Sequence, residues 1–209
     1  VMAQLIALAV AIPVGVYSAY RAGKVVDRAT SVASFGLLSI PNFALGVVVL
    51  QFFALRNQWL PASFDDSSFW TRIHSLFLPA TVLGLGIAAT YQRLLRTDLL
   101  TTLQEDFVHM AQAKGMTDRH IMTRHVLRPS LFSLITVFGV STGALIGGSL
   151  VIEGIFSIPG IGSEIVTAVI RDDFPVVLGS VVVIASGFVV INFFVDLFYT
   201  WLDPRVRAS

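Results

Sequence analysis

Long apolar runs alternate with short polar ones along the chain. Five runs carry no Asp, Glu, Lys or Arg: residues 1–20, 29–55, 73–92, 129–152 and 174–195. Each meets the ~20 residues that an α-helix needs to cross a hydrocarbon core. The pattern predicts an all-α integral membrane protein with five transmembrane helices, one membrane domain over residues 1–209. A soluble helical core is excluded, because its helices would also need polar faces. Pro13, Pro41 and Pro79 interrupt or begin helical runs, which is tolerated where neighbours or water satisfy the freed carbonyls. The polar run at 57–72, "NQWLPASFDDSSFWTR", reads as an irregular loop.

Residues 105–131, "EDFVHMAQAKGMTDRHIMTRHVLRPSL", are polar yet helix-patterned. Phe107, Met110, Ala111 and Lys114 fall at i, i+3, i+4 and i+7, one face of a helix. Gly115 suits the residue after that helix, where positive φ is needed. Thr117 or Asp118 caps a second helix carrying Ile121, Met122, Val126 and Leu127, and Pro129 stands where the next span begins. The small residues Ala111, Ala113 and Gly115 let another surface come close. His109, His120 and His125 lack helical i, i+4 spacing and form no HExxH. They read as solvated interface histidines, with no metal site.

The fourth run contains "GVSTGALIG". Gly139, Gly143 and Gly147 share one helix face and permit close helix approach, either inside the chain or against a partner subunit. Ser141, Thr142 and Ser149 either bond back to their own helix carbonyls or line a path. Beyond it, Glu153 ends the span and "SIPGIG" turns the chain. Gly162 or Ser163 then caps a short helix from about Glu164 to Ile170, with Glu164 at its positive end. Residues 153–175 thus form an external loop and short helix, a lid or a helix lying at the headgroups.

Composition agrees with the pattern. Mean hydropathy is +0.80 and only 13% of residues are charged, against about 25% in soluble domains. Alternating the loops puts eleven Lys and Arg on one side (positions 21, 24, 28, 93, 96, 114, 119, 124, 128, 205 and 207). Three, Arg56, Arg72 and Arg171, fall on the other. The basic side is cytoplasmic, and it holds residues 105–128 and the C-terminus. Five spans then put residue 1 outside, in an apolar run with no signal-peptide leader, so a preceding part with a further span is expected. The absence of Cys excludes disulfides and thiolate metal sites. A net charge of +1 gives no reason for a nucleic-acid partner. No Walker A sequence is present, and "GLGIAA" at 84–89 follows no strand, so it reads as packing.

At residues 105–131 the chain resembles the permease subunits of bacterial binding-protein-dependent ABC importers, in the dipeptide/oligopeptide (and nickel) branch. The general hallmark is Glu-Ala-Ala, three residues, Gly, followed by Ile-x-Leu-Pro. Ala111, Gly115 and Leu127 match it; His109, Met110, His125 and Arg128 depart from it. Peptide permeases read close to "EDYVRTARAKG" and "RHALRNAL", beside "EDFVHMAQAKG" and "RHVLRPSL" here. Further landmarks are "LSIPNFALG" (38–46), "WLP" (59–61), "FLPATVLGLG" (77–86), "EGIFSIPGIG" (153–162), "RDDFPVV" (171–177) and "NFFVDLFYTWLDPRVR" (192–207).

The resemblance implies a subunit of six spans in a bacterial cytoplasmic membrane. It would form half of a peptide path with a second homologous permease. Two cytoplasmic ATPases would carry ATP and Mg, this chain binding no cofactor, and an external binding protein would deliver substrate. The ATPase-coupling set would be Glu105, Asp106, Phe107, Met110, Ala111, Lys114 and Gly115. Path candidates are Ser39, Asn42, Ser141, Thr142 and Glu153, the last of which can equally stabilise the lid loop. Asp196 can pair with Arg93 or the Arg205 region. Nickel and glutathione are alternative cargoes. An ion-coupled secondary transporter would need inverted repeats and an ion site, which the sequence does not display. A membrane enzyme would need converging groups, and the spans offer chiefly His74 and Asp196 near opposite ends.

Overall fold

A computed structural model describes residues 1–146 and 150–202, and all the regular structure among them is helical. The helices are α1 (Met2–Tyr20), α2 (Val25–Ser39), α3 (Asn42–Val49), α4 (Phe69–Thr102), α5 (Asp106–Ala113), α6 (Asp118–His120), α7 (Leu127–Ile146), α8 (Leu150–Ile155), α9 (Ile161–Ile170) and α10 (Phe174–Leu202). π-helical turns extend α3 over Leu50–Arg56 and join α6 to α7 over Ile121–Val126. Among the described residues four helices are long and apolar enough to cross a membrane, or five if one bent pair counts as a span.

That bent pair lies in the second apolar run, where Pro41 interrupts the helix as expected. Val25–Ser39 and Asn42–Arg56 meet at 98°. Pro41 disfavours the helical region for the residue before it. Ile40 accordingly sits at φ −90°, ψ 122°, and α3 restarts with the Pro41 carbonyl accepting from the N–H groups of Ala44 and Leu45. Pro13 and Pro79 instead lie inside α1 and α4. Pro129 stands in the first turn of α7, at the entry to the fourth apolar run as expected, although helical structure runs on without a break from Asp118 to Leu145. The π turn precedes the proline, which has no N–H to offer the His125 carbonyl.

The chain divides into two compact units. One is built from Gln4–Ile40 and Gly84–Val137. Here Ala7, Ala11, Leu95 and Leu99 are fully buried. Gly15 lets α1 approach α4, because a Cβ there would lie 3.3 Å from Leu95. Polar side chains bind the same helices together. Gln92 on α4 donates to Ser18 Oγ on α1 (3.2 Å) and accepts from Ser34 Oγ on α2 (2.7 Å). The Tyr91 hydroxyl donates to Gln4 Oε1 (2.7 Å). Asp27 on α2 takes two hydrogen bonds from Arg96 (2.5 and 2.8 Å) and a third from the Gly23 N–H (2.8 Å). Gly23 supplies the left-handed turn, φ +77°, that aims its N–H.

The other unit comprises Val1–Ala3, Pro41–Leu83 and Phe138–Ser209. Its core is Leu78, Val82, Ile152 and Phe156. Gly46 of α3 admits Ile152 of α8, at 3.0 Å from a built Cβ. A Cβ at Gly139 would collide with Val195, and one at Gly143 would lie 2.7 Å from Phe188. These two glycines therefore pack α7 on α10 within the chain. Gly147 and Ser149 lie outside the described residues. No residue of the α10 stretch Phe174–Val195 is buried.

The Asp27 side chain is 5% exposed and Arg96 27%. Asp27→Asn leaves a half-buried guanidinium uncompensated and is expected to cost about 2–3 kcal/mol, read as a lower thermal midpoint in detergent. Replacing both residues by apolar ones, Asp27→Leu with Arg96→Met, should recover most of that loss.

Candidate functional site

Two features place candidate functional side chains. The first is the segment 105–128. Glu105 has extended backbone (φ −76°, ψ 146°) and its carbonyl opens α5 by accepting from Val108 and His109. The helix ends in a Schellman turn: Met116 N–H reaches the Ala111 carbonyl (3.2 Å) and Gly115 N–H the Gln112 carbonyl (2.9 Å). Gly115 has the required positive φ, +76°. Thr117 opens the next helix through its carbonyl, which accepts from Ile121 N–H, with no side-chain cap.

The faces of α5 are now fixed. Val108 and Ala111 are buried, as are Ile121, Met122 and Val126 in the π turn against which α5 packs. Phe107 is 40% exposed and Met110 60%. Glu105, Asp106 and Lys114 are exposed around them. The expected contact face of Phe107, Met110 and Ala111 is thus corrected. Ala111 anchors the helix from beneath, because with Val108 it sits at i, i+3 on the inward side. His120 and His125 lie with ring centres 5.6 Å apart. Among the described residues no three His, Cys, Asp or Glu side chains converge.

The second feature is the turn after α8. Ile158 N–H returns to the Glu153 carbonyl (2.8 Å), and Ser157 takes φ +53°. Helix α9 starts at Ile161 with Gly160 at the cap, three residues earlier than the expected start at Glu164, which lies in the first turn. Glycine has no side chain to cap with. The carboxylate of Glu153 does so from seven residues upstream, accepting from Ser163 N–H (2.9 Å). A Cβ at Gly160 would collide with that carboxylate, and one at Gly162 would lie 2.8 Å from Oε2. Ser163 Oγ accepts from Gly160 N–H (3.1 Å) and lies 2.8 Å from the Gly160 carbonyl. The carboxylate thus sits where N–H groups and the helix dipole favour negative charge. Glu153 also lines a cavity of about 350 Å3 with Leu76, Pro79, Leu83, Leu145 and Ile158.

The remaining path candidates are scattered. Ser39 Oγ donates to the Phe35 carbonyl (2.8 Å). Thr142 donates to the Phe138 carbonyl (2.7 Å), as does Ser141 (3.1 Å). Asn42 is exposed at the start of α3. The Asp196 side chain, like Arg205, lies outside the described residues, and Arg93 rests over the Phe35 ring at 4.3 Å. Asp27 and Arg96 escaped sequence reasoning. The available signal was one acid in "RAGKVVDRA", an otherwise basic stretch bordering a span. In the exposed loop, Asp65 Oδ1 accepts from Ser67 N–H (2.9 Å), which lowers its pKa below the usual carboxylate value.

The sequence profile of the family described as "Binding-protein-dependent transport system inner membrane component" matches residues 11–208. The chain belongs to this family. Among curated relatives of this permease family, the oligopeptide transport system permease protein AppB of Bacillus subtilis is 34% identical over 99% of the chain and 67% of its own length. A putative peptide transport system permease protein of Brucella abortus is 38% identical over 97% of the chain and 67% of its own. A probable peptide ABC transporter permease protein of Sinorhizobium fredii is 34% identical over the same shares as AppB, 99% and 67%. The chain spans about two thirds of the length of these permeases. It is a multi-pass inner-membrane protein.

Removing the Glu153 cap is expected to loosen the start of α9. Glu153→Ala should cost about 1 kcal/mol, seen as roughly fivefold faster amide exchange at residues 162–164, while Glu153→Gln, which keeps an acceptor, should fall between. Gly160→Ala should loosen the same amides by displacing the carboxylate.

Proposed function

We propose that this chain forms half of the translocation path of an ATP-driven importer of di- or oligopeptides. A second homologous permease supplies the other half. Two cytoplasmic ATPases hold ATP and Mg, and an external binding protein delivers the cargo. The basic loops, residues 105–128 and the C-terminus face the cytoplasm, while residues 153–175 form the external loop and short helix.

One observation carries this reading: α5 presents Phe107 and Met110 outward from a short helix whose other face is anchored by buried Val108 and Ala111. Large apolar side chains on a polar, membrane-flanking element suit a protein contact. Glu105, Asp106 and Lys114 surround them with charge that can set register. Closure of the ATPases on ATP moves α5, and the packed π turn moves with it, a rigid-body switch. The peptide permeases among the relatives support peptide as cargo. Nickel and glutathione are alternatives within the same machinery.

Phe107→Ser with Met110→Ser removes the apolar contact without touching the buried face. Uptake should fall at least tenfold, with normal membrane insertion and with ATP hydrolysis no longer stimulated by loaded binding protein. Wild-type uptake in a well-inserted double variant sinks the assignment. Gly115→Pro should behave similarly, since proline cannot adopt φ +76°. Ala111→Arg is a poorer probe, because it also unseats the helix. Uptake driven by an ion gradient without ATP would favour a secondary transporter.

A further inference from the structure

A groove of about 520 Å3 runs along α1 beside the π turn. Ile12, Pro13, Val16 and Met122 make its apolar wall. Tyr17, Tyr20, Thr123 and Arg119 add hydroxyls and one cation. From Ile12 to Tyr20 a helix rises roughly 12 Å, most of the ~15 Å depth of one leaflet. Ile12, Pro13 and Val16 come earlier along α1, and Tyr17 and Tyr20 toward its end. Arg21 follows directly, with its guanidinium 5.9 Å from the centre of the Tyr20 ring. Its Nε is buried and has no hydrogen-bond partner.

We propose that this groove holds an anionic glycerophospholipid of the cytoplasmic leaflet. The acyl chain lies along Ile12, Pro13 and Val16 over Met122. The headgroup phosphate takes hydrogen bonds from Arg119 and Arg21, with the Tyr20 phenol at headgroup depth, where such rings prefer to lie. Basic pockets between helices on the cytoplasmic side recognise anionic headgroups in this way. Arg119 in the wall and Arg21 beside Tyr20 select against a zwitterionic lipid, whose own ammonium would face them. The π turn is part of the wall, so the lipid buttresses the element against which α5 packs. The orientation rests on the sidedness given under Proposed function; the groove itself does not.

The test uses the assembled permease in membranes, with a photoactivatable phosphatidylglycerol and the matching phosphatidylcholine as probes. Phosphatidylglycerol should label peptides covering residues 12–20 or 119–126 at least fivefold more than phosphatidylcholine. Arg119→Glu with Arg21→Glu should reduce it to the phosphatidylcholine level. Val16→Trp, which fills the groove without altering charge, should abolish labelling by both. Co-purification with the partner subunits verifies that each variant has folded. Equal labelling by the two lipids overturns the proposal, as does labelling indifferent to Val16→Trp. A Tyr17→Cys cross-link to the second permease would mean that protein covers the groove, and overturns it too. A chain that labels as expected yet imports no peptide would leave the lipid site standing and remove only the transport reading.

Discussion

A polar group inside a membrane must find its hydrogen-bond partner within the protein. Three local solutions to that requirement organise this chain. Gln92 spends its amide on serines of two neighbouring helices, so a side chain that would be costly in lipid joins α1, α2 and α4. Asp27 collects three donors, two from Arg96 and one from a glycine turn. Glu153 takes the start of α9, where unpaired N–H groups would otherwise be left in a mostly apolar setting. In each case one element supplies the polar group and another the partner, so satisfying hydrogen bonds also fixes which helices lie together.

Glycine does complementary work where polarity is absent. Gly15, Gly46 and Gly143 each face a bulky apolar side chain of another helix. There is little hydrophobic drive between helices in lipid, so close packing of this kind carries much of the association. The alanines of α1 belong to the same scheme.

Much of this was legible in the sequence, because the membrane simplifies the pattern. Span number followed from charge-free runs, and the turn at Gly115 from one glycine closing a periodic helix. Helix breaks were harder to read. Pro41, Pro13 and Pro79 are alike as letters, yet Pro41 separates two helices while Pro13 and Pro79 lie inside α1 and α4. The π turn before Pro129 left no local signature, so the continuous helical path from Asp118 into α7 was not foreseen. The face of α5 was misjudged at Ala111, because small residues suit either a buried anchor or an open contact. Asp27 was hidden by its basic neighbours, and its partner is 69 residues away.

The cap on α9 links distant letters in another way. The carboxylate at 153 occupies the volume that side chains at 160 and 162 would fill, and it satisfies the N–H at 163. An alanine at 160 pushes the carboxylate at 153 aside, and a shortened 153 leaves α9 needing a new cap. A change at any one of the four positions is therefore felt at the start of α9.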